Sequence, residues 1–355
     1  MGINDPERAG MRRENFFYDL PEERIARYPH PERSASRLLV VEPSGFSDRH
    51  MHDFPDFLTP RDLVVFNNSK VMPARLHGHK DTGGRAEVLI TEILSPHAAR
   101  AWVRTSKPPR AGTRILVEGA VCLIVVQRDV EGWILEHDQG AGWDWIERVG
   151  HVPIPPYLGR PDEDSDRERY QTVYAKHPGS VAAPTAGLHF DAPLLEAMAR
   201  RGIQTTEVTL HVGPGTFEPV RTERIEDHRM HEEAYSVGAE AVGHLVRTRQ
   251  SGGRIVAVGT TVVRTLESLA LRTAPGQSWQ PGPGRTRLFI RPGFAFQLTD
   301  ALLTNFHQPR STLLALVAAF TGPSRIQRAY AHALSHGYRF LSYGDAMWIP
   351  ERDGV

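Results

Sequence analysis

The stretch from Arg75 to Arg148 most constrains the fold. "RAEVLITEIL", "RAWVRTS", "RILVEGAVCLIVVQRD" and "GWILEHD" are β-rich segments of similar length, separated by Gly and Pro turns such as "DTGG" and "SKPPRAG". No helical pattern interrupts them until "WDWIERVG". Short strands at this spacing predict a small antiparallel barrel or sandwich. Mixed α/β texture lies on both sides, so the β-rich part reads as an insertion. The expected fold class is an α/β main domain, residues 16–74 and 150–355, carrying a smaller inserted all-β, barrel-like domain at residues 75–149. Residues 1–15 read as a disordered extension. A chain of 355 residues accommodates this division.

The main domain shows its alternation most plainly after residue 190. "DAPLLEAMARRG" is a helix with Asp191 as cap, Pro193 in its first turn and Gly202 at its end. "IQTTEVTLHV", "RIVAVGTT" and "ALLTNFHQP" read as strands, and "AEAVGHLVRTRQSGG", "VVRTLESLAL" and "RSTLLALVAAFTG" as helices. "LPEERIARY" reads as a short helix near the start. Three junctions place small and hydroxyl residues where a strand or loop meets a helix: "PTAGLHF", "VGTTVVRTLES" and "TNFHQPRST". A fourth piece, "TLHVGPGTFEPV", leaves its strand through Gly213 and Gly215. Free amides and helix dipoles gather at such junctions, which makes them a natural site for a polar small molecule.

What is missing narrows the choice. There is no GxGxxG and no phosphate-loop lysine, so a nucleotide triphosphate site is not expected. The one cysteine, Cys122, sits in the apolar run "AVCLIVV" and reads as a packed thiol. It rules out an intrachain disulfide and a multi-cysteine metal centre. His228 and His231 in "HRMH" lack the glutamate of a zincin motif, and no metal site is expected. The polar N-terminus carries no apolar signal segment, and "TLLALVAAF" is too short to span a bilayer. A cytoplasmic protein is expected.

Lys plus Arg and Asp plus Glu both number 42, a balance that argues against a whole-surface nucleic-acid binder but not against a local patch. Arg104, Lys107, Arg110 and Arg114 form one cluster without an acid among them, and Arg285, Arg287 and Arg291 a second. Charge alone leaves both as solvated loops or phosphate contacts. His189, His211 and His307 each lie beside glycines or hydroxyls at the junctions. Each can serve as a structural hydrogen-bonding group or as a proton carrier near neutral pH. Ser342, Tyr343 and Asp345 in "RFLSYGDAMWI" read as a turn after a strand or as a polar lid.

These motifs carry a resemblance. "YQTVYAKHPGSVAAPTAGLHF", "TLHVGPGTFEPVR", "HRMHEE", "AVGTTVVRTLES", "TNFHQPRSTLL" and "YRFLSYGDAM" resemble the S-adenosylmethionine:tRNA ribosyltransferase-isomerases of queuosine biosynthesis. So do "YDLPEERIARYP", "DLVVFNNSKVMPARLHG" and "GHVPIPPY", over roughly residues 16–350 in all. The resemblance implies transfer and isomerisation of the ribosyl part of S-adenosylmethionine. The acceptor is 7-aminomethyl-7-deazaguanine at the wobble position of tRNAs with GUN anticodons, and the products are epoxyqueuosine-tRNA, adenine and methionine. It also implies S-adenosylmethionine as co-substrate with no prosthetic group, and a monomer.

On that basis His189 or His211 is expected as base, with His307 nearby. Thr185, Gly187, Gly213, Gly215, Thr216, Thr260, Thr261, Asn305 and Ser311 are expected to line the S-adenosylmethionine pocket. Arg264 and Asp345 are assigned, by charge complementarity, to its carboxylate and ammonium. Arg104, Lys107, Arg110 and Arg114 become the expected RNA contacts. Asn68 stands where the family commonly has Asp, which removes a carboxylate from that position. Two rivals are an S-adenosylmethionine-dependent RNA methyltransferase, disfavoured by the missing Rossmann fingerprint, and a nonenzymatic RNA-binding protein, disfavoured by the retained histidines and glycines.

Overall fold

The computed structural model describes residues 11–140, 142–274 and 276–353. Its centre is a nine-stranded sheet. From one edge the strands are Gly282–Thr286, Glu233–Val237, Gln204–Leu210, Leu63–Asn67, Ile255–Val258, Ala301–Asn305, Ala346–Ile349, Arg37–Glu42 and Gly45–His50. The four strands from Gln204–Leu210 to Ala301–Asn305 run parallel, and antiparallel pairs finish both edges. Leu63–Asn67, Ile255–Val258 and Ala301–Asn305 are buried at every position. That is why they read as continuous apolar runs rather than alternating ones: helices or loops cover both faces of a parallel sheet. Two apolar clusters occupy the two faces, one around Leu63, Val65 and Leu266, the other around Val64, Phe190 and Trp348.

The inserted segment forms a closed antiparallel barrel. Its strands, in order around the barrel, are Trp133–His137, Ala98–Thr105, Arg85–Ile93, Arg75–Lys80, Arg114–Val117 and Val121–Arg128. Arg85–Ile93 and Arg114–Val117 alternate exposed and buried residues, the pattern of a strand with one face in a barrel interior. Leu76, Val88, Leu123 and Leu135 fill that interior, and Cys122 is buried next to Leu123 on the same strand. The chain enters and leaves the barrel through one neck, where Arg75 and His151 exchange both backbone hydrogen bonds at 3.1 and 2.8 Å.

Helix ends follow local chemistry. Asp191 accepts from the Leu194 amide at 3.0 Å and caps Ala192–Arg200. Thr312–Thr321 is apolar nearly all round and buried.

Four expectations need correction. Residues 1–10 of the expected disordered extension lie outside the described residues, but Met11–Asn15 are held. The Met11 amide donates to Glu226 at 2.8 Å and the Arg13 amide to the Glu223 carbonyl at 3.0 Å. "LPEERIARY" contributes only a 3₁₀ turn at Glu22–Arg24. Pro323–Ser335 is a helix with no counterpart among the expected elements. The Ser342–Asp345 turn precedes the strand Ala346–Ile349 rather than following one.

Candidate active site

The parallel strands end together, and their C-terminal loops enclose a cleft, at the place where open α/β sheets bind ligands. Four segments at the strand ends supply most of its lining. The 3₁₀ turn Thr185–His189 brings Thr185 and Ala186. The loop after Gln204–Leu210 brings Val212 and Thr216. Gly259, Thr260 and Thr261 open one helix, and Thr304 to Ser311 connect a strand to another. Thr185, Thr216, Thr260, Thr261, Asn305, His307 and Ser311 therefore do meet in one place. Among the described residues, no Asp, Glu, Lys or Arg lines it.

Ser311 spends its hydroxyl on the fold. It caps the helix by accepting from the Leu314 amide at 3.1 Å and donates to the Gln308 carbonyl at 2.8 Å. His307 lies 2.9 Å from Thr304 through Nε2, and burial pushes its pKa down to about 3. It is a neutral imidazole throughout the physiological range.

His189 lies beneath the cleft, not in it. Both ring nitrogens are engaged, Nδ1 with Ser36 Oγ at 2.7 Å and Nε2 with Asn305 Nδ2 at 3.0 Å. Burial, reinforced by Arg33 and Arg339, brings its pKa down to about 3. Gly187 is small for packing reasons. A Cβ there would stand 2.1 Å from Tyr174 Oη, and one on Gly215 would stand 2.3 Å from His231 Cδ2. Neither glycine lines the cleft, contrary to expectation.

Arg264 and Asp345 are also elsewhere. Arg264 is buried against Glu233, with its Nε donating to the Leu288 carbonyl at 3.1 Å. Asp345 accepts the Arg37 and Arg339 amides at 3.0 and 2.8 Å, which fixes the turn, while burial raises its pKa. Both side chains thus have protein partners outside this cleft, Glu233 for Arg264 and the Arg37 and Arg339 amides for Asp345. Asn68 is a bracket between strands: Oδ1 accepts from Thr209 at 2.7 Å and Nδ2 donates to Glu207 at 2.9 Å. A carboxylate at this position would face Glu207.

His211 and Gly213 line a second cleft, between the sheet and the barrel, with Glu92, Trp102, Glu232 and Arg285. Burial, then His177, lowers the His211 pKa. A third groove follows the barrel past Arg75, Trp102, Arg104, Arg128 and Trp133, and shares Trp102 and Pro214 with the second. Arg104, Lys107, Arg110 and Arg114 are all exposed. The other basic cluster is committed to acids: Arg285 and Arg287 to Glu232, and Arg291 to Glu226 at 2.9 Å.

Sequence reasoning missed Tyr157 and Thr304 in the cleft. Tyr157 Oη lies 2.6 Å from Ser342 Oγ, and burial pushes its pKa up to about 12. The rigid "VPIPPY" run was its available signal. Leu341, also in the cleft, holds φ at +71°, a strained value for a side-chain-bearing residue and one that a sequence does not display.

A family model described as "Queuosine biosynthesis protein" matches residues 13–349. Among solved structures, an S-adenosylmethionine tRNA ribosyltransferase from Thermotoga maritima is similar at 37% sequence identity and a TM-score of 0.54, over 94% of this chain and 99% of that one. The ordered motifs, the sheet with its inserted barrel and these two matches agree: this chain belongs to the queuosine biosynthesis protein family.

Proposed function

We propose that the protein transfers and isomerises the ribosyl moiety of S-adenosylmethionine onto 7-aminomethyl-7-deazaguanine at the wobble position of tRNAs with GUN anticodons. Adenine and methionine leave, and epoxyqueuosine remains in the RNA. The observation that carries this reading is family membership over residues 13–349, joined to a polar, uncharged cleft at the strand ends. No prosthetic group or metal is assigned. We place the reaction in the cytoplasm, carried out by a monomer. Among the described residues no helix is long and apolar enough to cross a membrane.

The chemistry needs a base for the carbon beside the sulfonium. Of the three candidate histidines, His307 is the one lining the cleft, and the base role is assigned to it on that position; the burial that lowers its pKa to about 3 makes it a weaker base than a free imidazole. Thr185, Thr216, Thr260, Thr261 and Asn305 are assigned to holding S-adenosylmethionine. His211 and Gly213, in the adjoining cleft rimmed by Glu92 and Glu232, are assigned to the side from which the aminomethyl base approaches. Exposed Arg104, Lys107, Arg110 and Arg114 are assigned to the RNA backbone.

The test supplies S-adenosylmethionine and an anticodon stem-loop bearing the modified base, and follows free adenine by chromatography. His307→Ala should lower release by about 10²-fold or more with RNA affinity unchanged. Methylated RNA without adenine would make the protein a methyltransferase. RNA binding without turnover would make it a nonenzymatic binder.

A further inference from the structure

One hydrogen-bond chain runs beneath the cleft and ends inside it. Ser36 Oγ donates its single proton to the Arg33 carbonyl at 3.0 Å, so toward His189 Nδ1, 2.7 Å away, it can only accept. Nδ1 therefore carries the ring proton of this neutral imidazole, and Nε2 is an acceptor. Asn305 Nδ2 donates to it at 3.0 Å and gives its second proton to the Leu341 carbonyl at 3.3 Å. Turning the amide over would set Oδ1 against two acceptors, so the network fixes its orientation. Oδ1 is left buried with no hydrogen-bond partner among the described residues, on a side chain that lines the cleft.

A buried acceptor without a partner is costly and is relieved by a ligand N–H. The neighbouring Thr185, Thr260, Thr261 and Thr304 carry hydroxyls, which can give or take a hydrogen bond and so serve an amine or a carbonyl alike. An ammonium would find no counter-charge, because no acid among the described residues lines the cleft. A neutral, donor-only group is what Oδ1 selects.

We propose that Asn305 recognises the exocyclic amine of the adenine base, and that Ser36 and His189 are positioning residues that hold its carbonyl toward that amine. This rests on S-adenosylmethionine being the substrate. The cleft would then discriminate a 6-amino from a 6-oxo purine through one fixed amide.

The experiment supplies S-adenosylmethionine and its 6-oxo analogue together, with the modified stem-loop, and measures adenine against hypoxanthine released. The wild type should favour adenine by about 10- to 100-fold, the range for leaving one buried acceptor facing a carbonyl. Asn305→Ala should bring the ratio near one, and Ser36→Ala should lower it several-fold, since the imidazole can then change tautomer. His189→Phe should do the same. If it does not fold, the Asn305→Ala ratio still decides. Equal use of the two substrates by the wild type, or an unchanged ratio in Asn305→Ala, overturns the inference while leaving the proposed function intact. No adenine from S-adenosylmethionine at all overturns the proposed function, and this inference with it.

Discussion

Gly187→Ala tests why the turn beneath the cleft has its shape. The added Cβ would lie 2.1 Å from Tyr174 Oη, 2.8 Å from Thr172 Cγ2 and 3.1 Å from Tyr174 Cζ. Ordinary contact begins near 3.4 Å, so the hydroxyl must retreat by more than an ångström. The ring cannot follow freely, because Tyr174 packs on Phe66 with centroids 4.7 Å apart. Overpacking of this kind costs about 1–3 kcal/mol. In a Tyr174→Phe background the worst clash disappears while the two longer ones remain. Part of the cost should vanish there, the 2.8 Å approach to Thr172 Cγ2 remaining, giving a coupling of about 1 kcal/mol between the two sites. Urea unfolding of the four proteins in the cycle measures it. An equal cost of Gly187→Ala in both backgrounds would refute the packing explanation. Unchanged stability with a raised KM for S-adenosylmethionine would refute it differently, and return Gly187 to the ligand.

Three further outcomes are expected. The folded-state pKa values of His189 and His307, about 3, lie below the ordinary 6.5, so the unfolded chain binds more protons between these values. Their stabilising effect is therefore full above pH 6.5 and lost as pH falls toward 3. At pH 5 each accounts for about 2 kcal/mol, and the stability gap between wild type and His307→Gln should shrink by about that amount from pH 7 to pH 5, measured by denaturant titration. Arg264→Met strands Glu233 in a buried site and should cost about 3–5 kcal/mol, most of it recovered by adding Glu233→Gln, whereas a ligand-binding arginine would change KM and not stability. Charge reversal at Arg104, Lys107, Arg110 and Arg114 should weaken RNA binding and flatten its salt dependence, by roughly 0.7–0.9 in slope for each phosphate no longer neutralised. An unchanged slope removes those residues from the interface.

The parts of this protein legible in its sequence are those written in local patterns. Alternation in "RAEVLITEIL" and continuous burial in "LVVFN" disclose strands because side-chain period and sheet environment act within a few residues. Hydroxyl and amide side chains at strand ends marked Thr260, Thr261 and Asn305 as cleft-lining, because in such folds a cleft forms where the chain leaves the sheet. Illegible were the partners that decide what a polar residue does. His189 looks the same whether it faces a ligand or Ser36, 153 positions away. Arg264 reads as an anion holder until Glu233 is placed beside it. Gly187 and Gly215 match the signature of close ligand approach, yet what approaches them is Tyr174 and His231.

The sheet's strand order also bears on how the chain comes to be folded during its synthesis. Leu63 sits in the middle of the sheet but pairs with Gln204 and Ile255, and Leu38 pairs with Ala346. The barrel's partners, by contrast, lie within one contiguous segment, and its neck closes once His151 reaches Arg75. Local pairings form early and distant ones wait for the chain that completes them. On the ribosome the barrel should therefore be a finished body while the apolar strands Arg37–Glu42 and Leu63–Asn67 still await their parallel partners. Those two segments, rather than the long insertion, are where a chaperone would find this protein most in need of cover.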